Sequence, residues 1–96
     1  MPRRSKTLRA NKNIATVKGS ESKQMLIDQQ YRCALTGMDL TPETASLDHK
    51  IPVVRGGPHQ IGNLWILHHT VNAAKGTMLP EEFIAMCRAV AKANPE

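Results

Sequence analysis

Two stretches able to run extended, Ala45–His49 and the apolar run Leu64-Trp65-Ile66-Leu67, are separated by a segment that cannot: Arg55-Gly56-Gly57-Pro58 is a turn signal in the middle of the chain. This arrangement predicts a two-stranded hairpin with a long, irregular tip. With 96 residues there is one domain at most, and its core is thin because a short chain buries a small share of its surface. Only Tyr31, Trp65 and Phe83 are aromatic, so that core must be made from Leu, Ile, Val, Met and Ala. A few helices packed around the hairpin suit such material better than a sandwich, which predicts an α+β class.

The flanks divide in two. Residues 1–19 are polar and basic, without a sustained apolar period, and read as a flexible arm; residues 20–96 read as a single domain. Arg3, Arg4, Lys6, Arg9, Lys12 and Lys18 all precede the first acid, Glu21, and the whole chain carries +5 with a pI near 9.6. Such an arm suits a polyanion such as DNA, although a basic tail also aids solubility.

Ser20 is an N-cap candidate for a helix to about Gln30, whose apolar face begins at Met25 and Leu26 and extends to Gln29. Residues 31–44 read as turns pinned by Leu35 and Leu40. A second helix is expected over residues 68–75, stopped by Gly76. Pro80, Glu81 and Glu82 open a last helix, whose stripe of Phe83, Met86, Cys87 and Val90 is expected to pack on the hairpin and complete the core. No apolar run is long enough to span a membrane, and no apolar segment follows the basic start as a secretory signal would require. A cytoplasmic protein with Cys33 and Cys87 as free thiols is expected.

The chemistry lies between residues 48 and 76. A carboxylate and an imidazole side by side at a strand end, Asp48 and His49, point to opposite faces and so serve different tasks, one toward a metal and one toward substrate. Asn72, on the helix after the second strand, can add an oxygen ligand to the same ion. Oxygen donors suit Mg²⁺ or Mn²⁺, and a neutral histidine suits proton removal from water. Together these parts suit phosphodiester hydrolysis.

Asp48-His49, Gly56-Gly57, Asn63-Leu64 and Asn72-x-x-Lys75 occur in order, and in this the chain resembles the HNH endonuclease family, in its small free-standing phage or bacterial type. The resemblance covers about a third of the chain. It implies a ββα-metal (His-Me finger) motif with flanking helices and a metal-dependent DNA endonuclease or nickase. His49 would be the general base, and Asp48 with Asn72 would hold one divalent cation. Asn63, at the family's central Asn and counted with the catalytic residues, would brace the loop that fixes the histidine. The products would carry a 5′-phosphate and a 3′-hydroxyl. In a phage the host cell would be bacterial, and a large terminase would be a possible partner in DNA packaging.

One departure accompanies the resemblance. Many relatives bind a structural zinc through two Cys-x-x-Cys knuckles, but here the corresponding pairs are Cys33 with Thr36 and His68 with Val71. No structural zinc is expected, and Leu35, Leu40 and Val71 would take its place. His68 and His69, near Asn72, offer a third ligand or a phosphate contact, against the alternative that they cap the helix. Arg55 and Lys75 are candidate phosphate contacts, with a solvated role as the alternative. Gly56 and Gly57 would let the loop approach DNA, Trp65 reads as core, and His59 is assigned no role. Two rival readings stay open: a partner-dependent accessory nuclease of phage packaging, and a nucleic-acid-binding module without catalysis. RNA as substrate is also open.

Overall fold

The two extended stretches pair as an antiparallel hairpin, β1 (Ala45–His49) with β2 (Leu64–His68), in a register that sets Ala45 opposite His68, Asp48 opposite Trp65 and His49 opposite Leu64. The computed structural model describes residues 19–96. Helix α1 (Gly19–Asp28) precedes the hairpin, α2 (His69–Lys75) follows β2 directly, and α3 (Pro80–Ala93) comes last. The described residues thus form a small α+β domain with three α-helices and one two-stranded sheet. None of these helices is long and apolar enough to cross a membrane.

The core collects on β2. Ile66 and Leu67 are buried with Cys33, Leu40, Val71 and Phe83, while Met25, Leu26, Leu35 and Trp65 pack against them. The apolar side of α1 is therefore Met25 and Leu26, as its spacing requires. Ser20 lies inside the helix rather than at its cap, and Gly19, assigned to the arm, is already helical.

Gln29 has a different part from the apolar one expected of it. Its side-chain amide donates to the Ile66 carbonyl at 2.9 Å and accepts from the Ile66 N–H at 2.9 Å, which reproduces the bonding of a neighbouring strand. Ala34 N–H also donates to the Ile66 carbonyl. A sheet of two strands leaves backbone groups unpaired on its outer edge, and these bonds occupy them at the most buried stretch of β2.

The hairpin tip is built from two 3-10 turns, Val53–Arg55 and Ile61–Asn63. Gly56 closes the first in the left-handed region, with φ 91°. Gly57 is required for space: a Cβ there would lie 1.8 Å from the Ile51 carbonyl oxygen, a backbone atom that cannot swing aside. Its smallness is needed for this contact inside the loop. Gly57→Ala is accordingly expected to lower stability at or above the upper end of the usual overpacking range, about 3 kcal/mol, as read by urea denaturation. A loss below about 1 kcal/mol would mean that the loop can part from Ile51 without strain.

Helix α3 begins as its sequence suggests. Pro80 occupies the first turn, and the Glu82 carboxylate accepts from the Leu79 N–H at 2.9 Å. Its apolar stripe is the main correction to the expected core. Phe83 alone is buried, whereas Met86 and Val90 remain 43% and 56% exposed and Cys87 also faces solvent. Phe83 sits in the first turn, the only part of α3 that enters the buried core, while Cys87 farther along lines a shallow groove with Leu35 and Thr36.

Candidate active site

Helix α2 is fastened across the end of β1 by two residues one turn apart, Asn72 and Lys75, which share a helical face. The Asn72 amide nitrogen donates to the Ser46 hydroxyl at 2.7 Å and approaches the Leu47 carbonyl at 3.3 Å. The Lys75 ammonium donates to the His49 carbonyl at 3.0 Å and pairs with Asp48 Oδ2 at 3.0 Å. Trp65, opposite Asp48 in the strand register, donates its indole N–H to the same Oδ2 at 2.8 Å. These bonds fix the Asp48 carboxylate from two sides.

An open cleft of about 320 Å³ lies where β1 meets α2. Asp48, His49 and Asn72 line it together with Pro52, Val53, Val54 and Thr77. The expectation that Asp48 and His49 face opposite ways holds only within a regular strand. β1 ends at His49, and both residues reach the same cleft.

His49 is half-buried and its pKa is lowered from the usual histidine value. Burial is the main cause, His59 and Lys75 add to it, and the negative Asp48 opposes it. The shift favours the uncharged imidazole. Its Nε2 lies 2.8 Å from Nδ1 of His59, with the two ring centres 5.0 Å apart.

Asn63 holds the loop that carries His59. Its Oδ1 accepts from the Ile51 N–H at 3.0 Å, while its Nδ2 donates to the carbonyls of Ile51 at 3.1 Å and Pro58 at 2.8 Å. The backbone carbonyl of Asn63 accepts from the Lys50 N–H. One buried amide therefore ties the exit of β1 to both the far side of the tip and the entry to β2. Asn63 makes no contact with the cleft and acts on its shape.

Several expectations need correction. Lys75 is not a phosphate contact: it is 0% exposed and paired with a 7% exposed Asp48. Arg55 is also committed within the protein, forking onto both carboxylate oxygens of Glu82, and so joins the hairpin tip to the start of α3. That pair raises the arginine's pKa and lowers the glutamate's. His68 and His69 do not approach the site as third ligands. His68 is opposite Ala45, four residues and about 13 Å along β1 from His49. The His68 Nδ1 accepts from the Thr70 N–H at 3.1 Å and caps α2, while His69 is exposed. Arg3, Arg4, Lys6, Arg9, Lys12 and Lys18 lie outside the described residues.

The donor set can be tested against a cation. No three His, Cys, Asp or Glu side chains converge among the described residues. The cleft instead offers one carboxylate and one carboxamide. Asp48 Oδ2 is occupied by Lys75 and Trp65, which leaves Oδ1 for a ligand; the Asn72 amide nitrogen is occupied by β1, which leaves its oxygen. Two hard oxygens suit Mg²⁺, which retains several waters and takes phosphate oxygens rather than an all-protein cage. Compared with protein-family models and with curated proteins, the chain matches none.

Proposed function

We propose that this chain is a metal-dependent DNA endonuclease or nickase of the HNH type. The observation that carries the reading is the convergence of His49, Asp48 and Asn72 on one open cleft. The order of elements at that cleft, β1, β2, then α2, is the arrangement that a ββα-metal motif requires. Asp48 and Asn72 would hold the divalent cation, Mg²⁺ or Mn²⁺. When bound, such an ion supplies neutralisation of the charge on the phosphate and on the departing oxygen.

The chain's own residues then have distinct tasks. His49 takes a proton from water, whose oxygen forms the new bond to phosphorus as the 3′ oxygen departs and is protonated by solvent. Asp48 is held in one orientation by Trp65 and Lys75, and Asn72 by Ser46, so neither ligand must be ordered when the substrate arrives. The test is nicking of supercoiled plasmid by the purified chain with Mg²⁺, with Mn²⁺ and with EDTA. Nicking that EDTA abolishes is the expected result. Activity indifferent to EDTA would rule out the metal, and inactivity under every condition would favour a binding module or an enzyme that works only with a partner such as a packaging terminase.

Attraction to DNA follows from where the charge is. Residues 19–96 contain seven Lys and Arg against eight Asp and Glu, whereas residues 1–18 contain six Lys and Arg and no acid. The net +5 therefore originates wholly in the first eighteen residues. Three of the body's cations, Arg32, Arg55 and Lys75, are moreover paired with acids of the body itself. Removing residues 1–18 is expected to flatten the dependence of log binding constant on log salt by as much as about 5, from roughly 0.9 per phosphate neutralised. An unchanged slope would take the segment out of the account.

A further inference from the structure

His49 Nε2 and His59 Nδ1 are 2.8 Å apart, so one nitrogen holds the proton and the other receives it. This bond also decides which nitrogen of His49 remains for chemistry. A base must present a bare nitrogen to water, and Nε2 is already engaged, so the bare nitrogen has to be Nδ1. A neutral imidazole has one proton, which then sits on Nε2 and is donated to His59.

We propose that His59 is the positioning residue of His49, accepting the Nε2–H of His49 at its own Nδ1 and so holding His49 in the tautomer whose Nδ1 is basic. This rests on the nuclease reading, which supplies the demand for a bare nitrogen. The other ring nitrogen of His59, Nε2, is buried with no hydrogen-bond partner among the described residues. With Nδ1 accepting, that atom carries the ring's remaining proton, and an orphaned donor is therefore expected there, which is a cost to the fold. His59 is also placed with care: it follows Pro58, whose carbonyl is gripped by Asn63, and the Gly57 before that fits only because it lacks a Cβ. The clamp and the glycine thus act on His49 through His59.

Substitutions separate the two ring nitrogens. In His59→Asn the side-chain oxygen takes the place of Nδ1 and the orphaned donor is gone. This variant is expected to keep kcat within a few-fold and to unfold at a higher denaturant concentration than the native chain. His59→Gln puts its amide where Nε2 was, and His59→Phe keeps the ring without the acceptor. Both are expected to lose about 10- to 100-fold in kcat with KM little changed, the usual scale for losing the partner that orients a functional histidine. A purely packing role for His59 would instead make Phe the best replacement and Asn the worst.

A readout independent of activity comes from long-range ¹H–¹⁵N correlation spectra of the histidine rings in the native chain. His49 protonated at Nε2 and bare at Nδ1, with that preference lost in His59→Phe and restored in His59→Asn, is the expected pattern. His49 protonated at Nδ1 in the native chain would overturn the proposal whatever the activity. If the expected tautomer is found in a protein that cuts nothing, the positioning by His59 stands and the nuclease reading falls.

Discussion

His49→Ala is expected to reduce metal-dependent nicking by about 10²- to 10⁴-fold, the range by which a positioned general base accelerates proton transfer. The variant must be purified identically, because equal activity in both preparations would mean a contaminating nuclease or a wrong base. The pH profile gives a second signature. The pKa of His49 is lowered, chiefly by burial, so its basic form survives to lower pH than an ordinary histidine would allow. The acid limb of the rate is therefore expected below the usual histidine pKa of about 6.5, with a flat region through neutrality. A limb at or above that value would show that His49 is not the group being titrated.

Stability is linked to the same shift. The unfolded chain binds a proton at His49 more readily than the folded one, so this residue's contribution is complete above the ordinary histidine pKa and is lost as pH falls through the lowered folded value. Removing the ring should therefore lessen the acid sensitivity of the fold while abolishing activity. The two effects have opposite signs in one variant, which general misfolding would not produce.

Parts of this molecule were legible because their signals are local. The hairpin follows from a run of strand length on either side of a Gly-Gly-Pro break, and the start of α3 follows from Pro80 and the acids after it. The grouping of Asp48, His49 and Asn72 follows from a strand end and the helix that succeeds its partner. What was not legible depends on distant partners. Nothing near Lys75 in sequence shows that its ammonium is buried against Asp48, and nothing near Arg55 announces Glu82, 27 residues later. Met86 and Val90 carry the right period for a buried face, but periodicity states only which side is apolar and not whether the chain supplies something to cover it. His59 is the sharpest case. Its position against His49 is set by two short 3-10 turns and an asparagine clamp, and no spacing rule encodes such a tip.

Lys75→Met is expected to cost about 3–5 kcal/mol, the loss usual when one member of a buried ion pair is removed. Methionine keeps much of the length and none of the charge, which leaves the Asp48 carboxylate buried with the Trp65 N–H as its remaining partner. Against a total stability of about 5–15 kcal/mol for a domain of this kind, the variant would stand near the edge of folding. Asp48→Asn should be costly for the converse reason, since it removes the counter-charge of a fully buried ammonium and leaves it with neutral acceptors such as the His49 carbonyl. The double variant decides the matter: with both charges gone, its loss should fall short of the sum of the single losses by about 2 kcal/mol or more. Urea unfolding of the four proteins gives all the terms. A lysine that contacted phosphate would behave otherwise, lowering DNA affinity and the salt slope by about one unit while leaving the unfolding midpoint in place. Lys75 holds Asp48 toward the cleft and shields part of its charge, so its effect on catalysis passes through the fold, and a Lys75→Met protein that remains folded without denaturant should bind DNA with the native salt dependence.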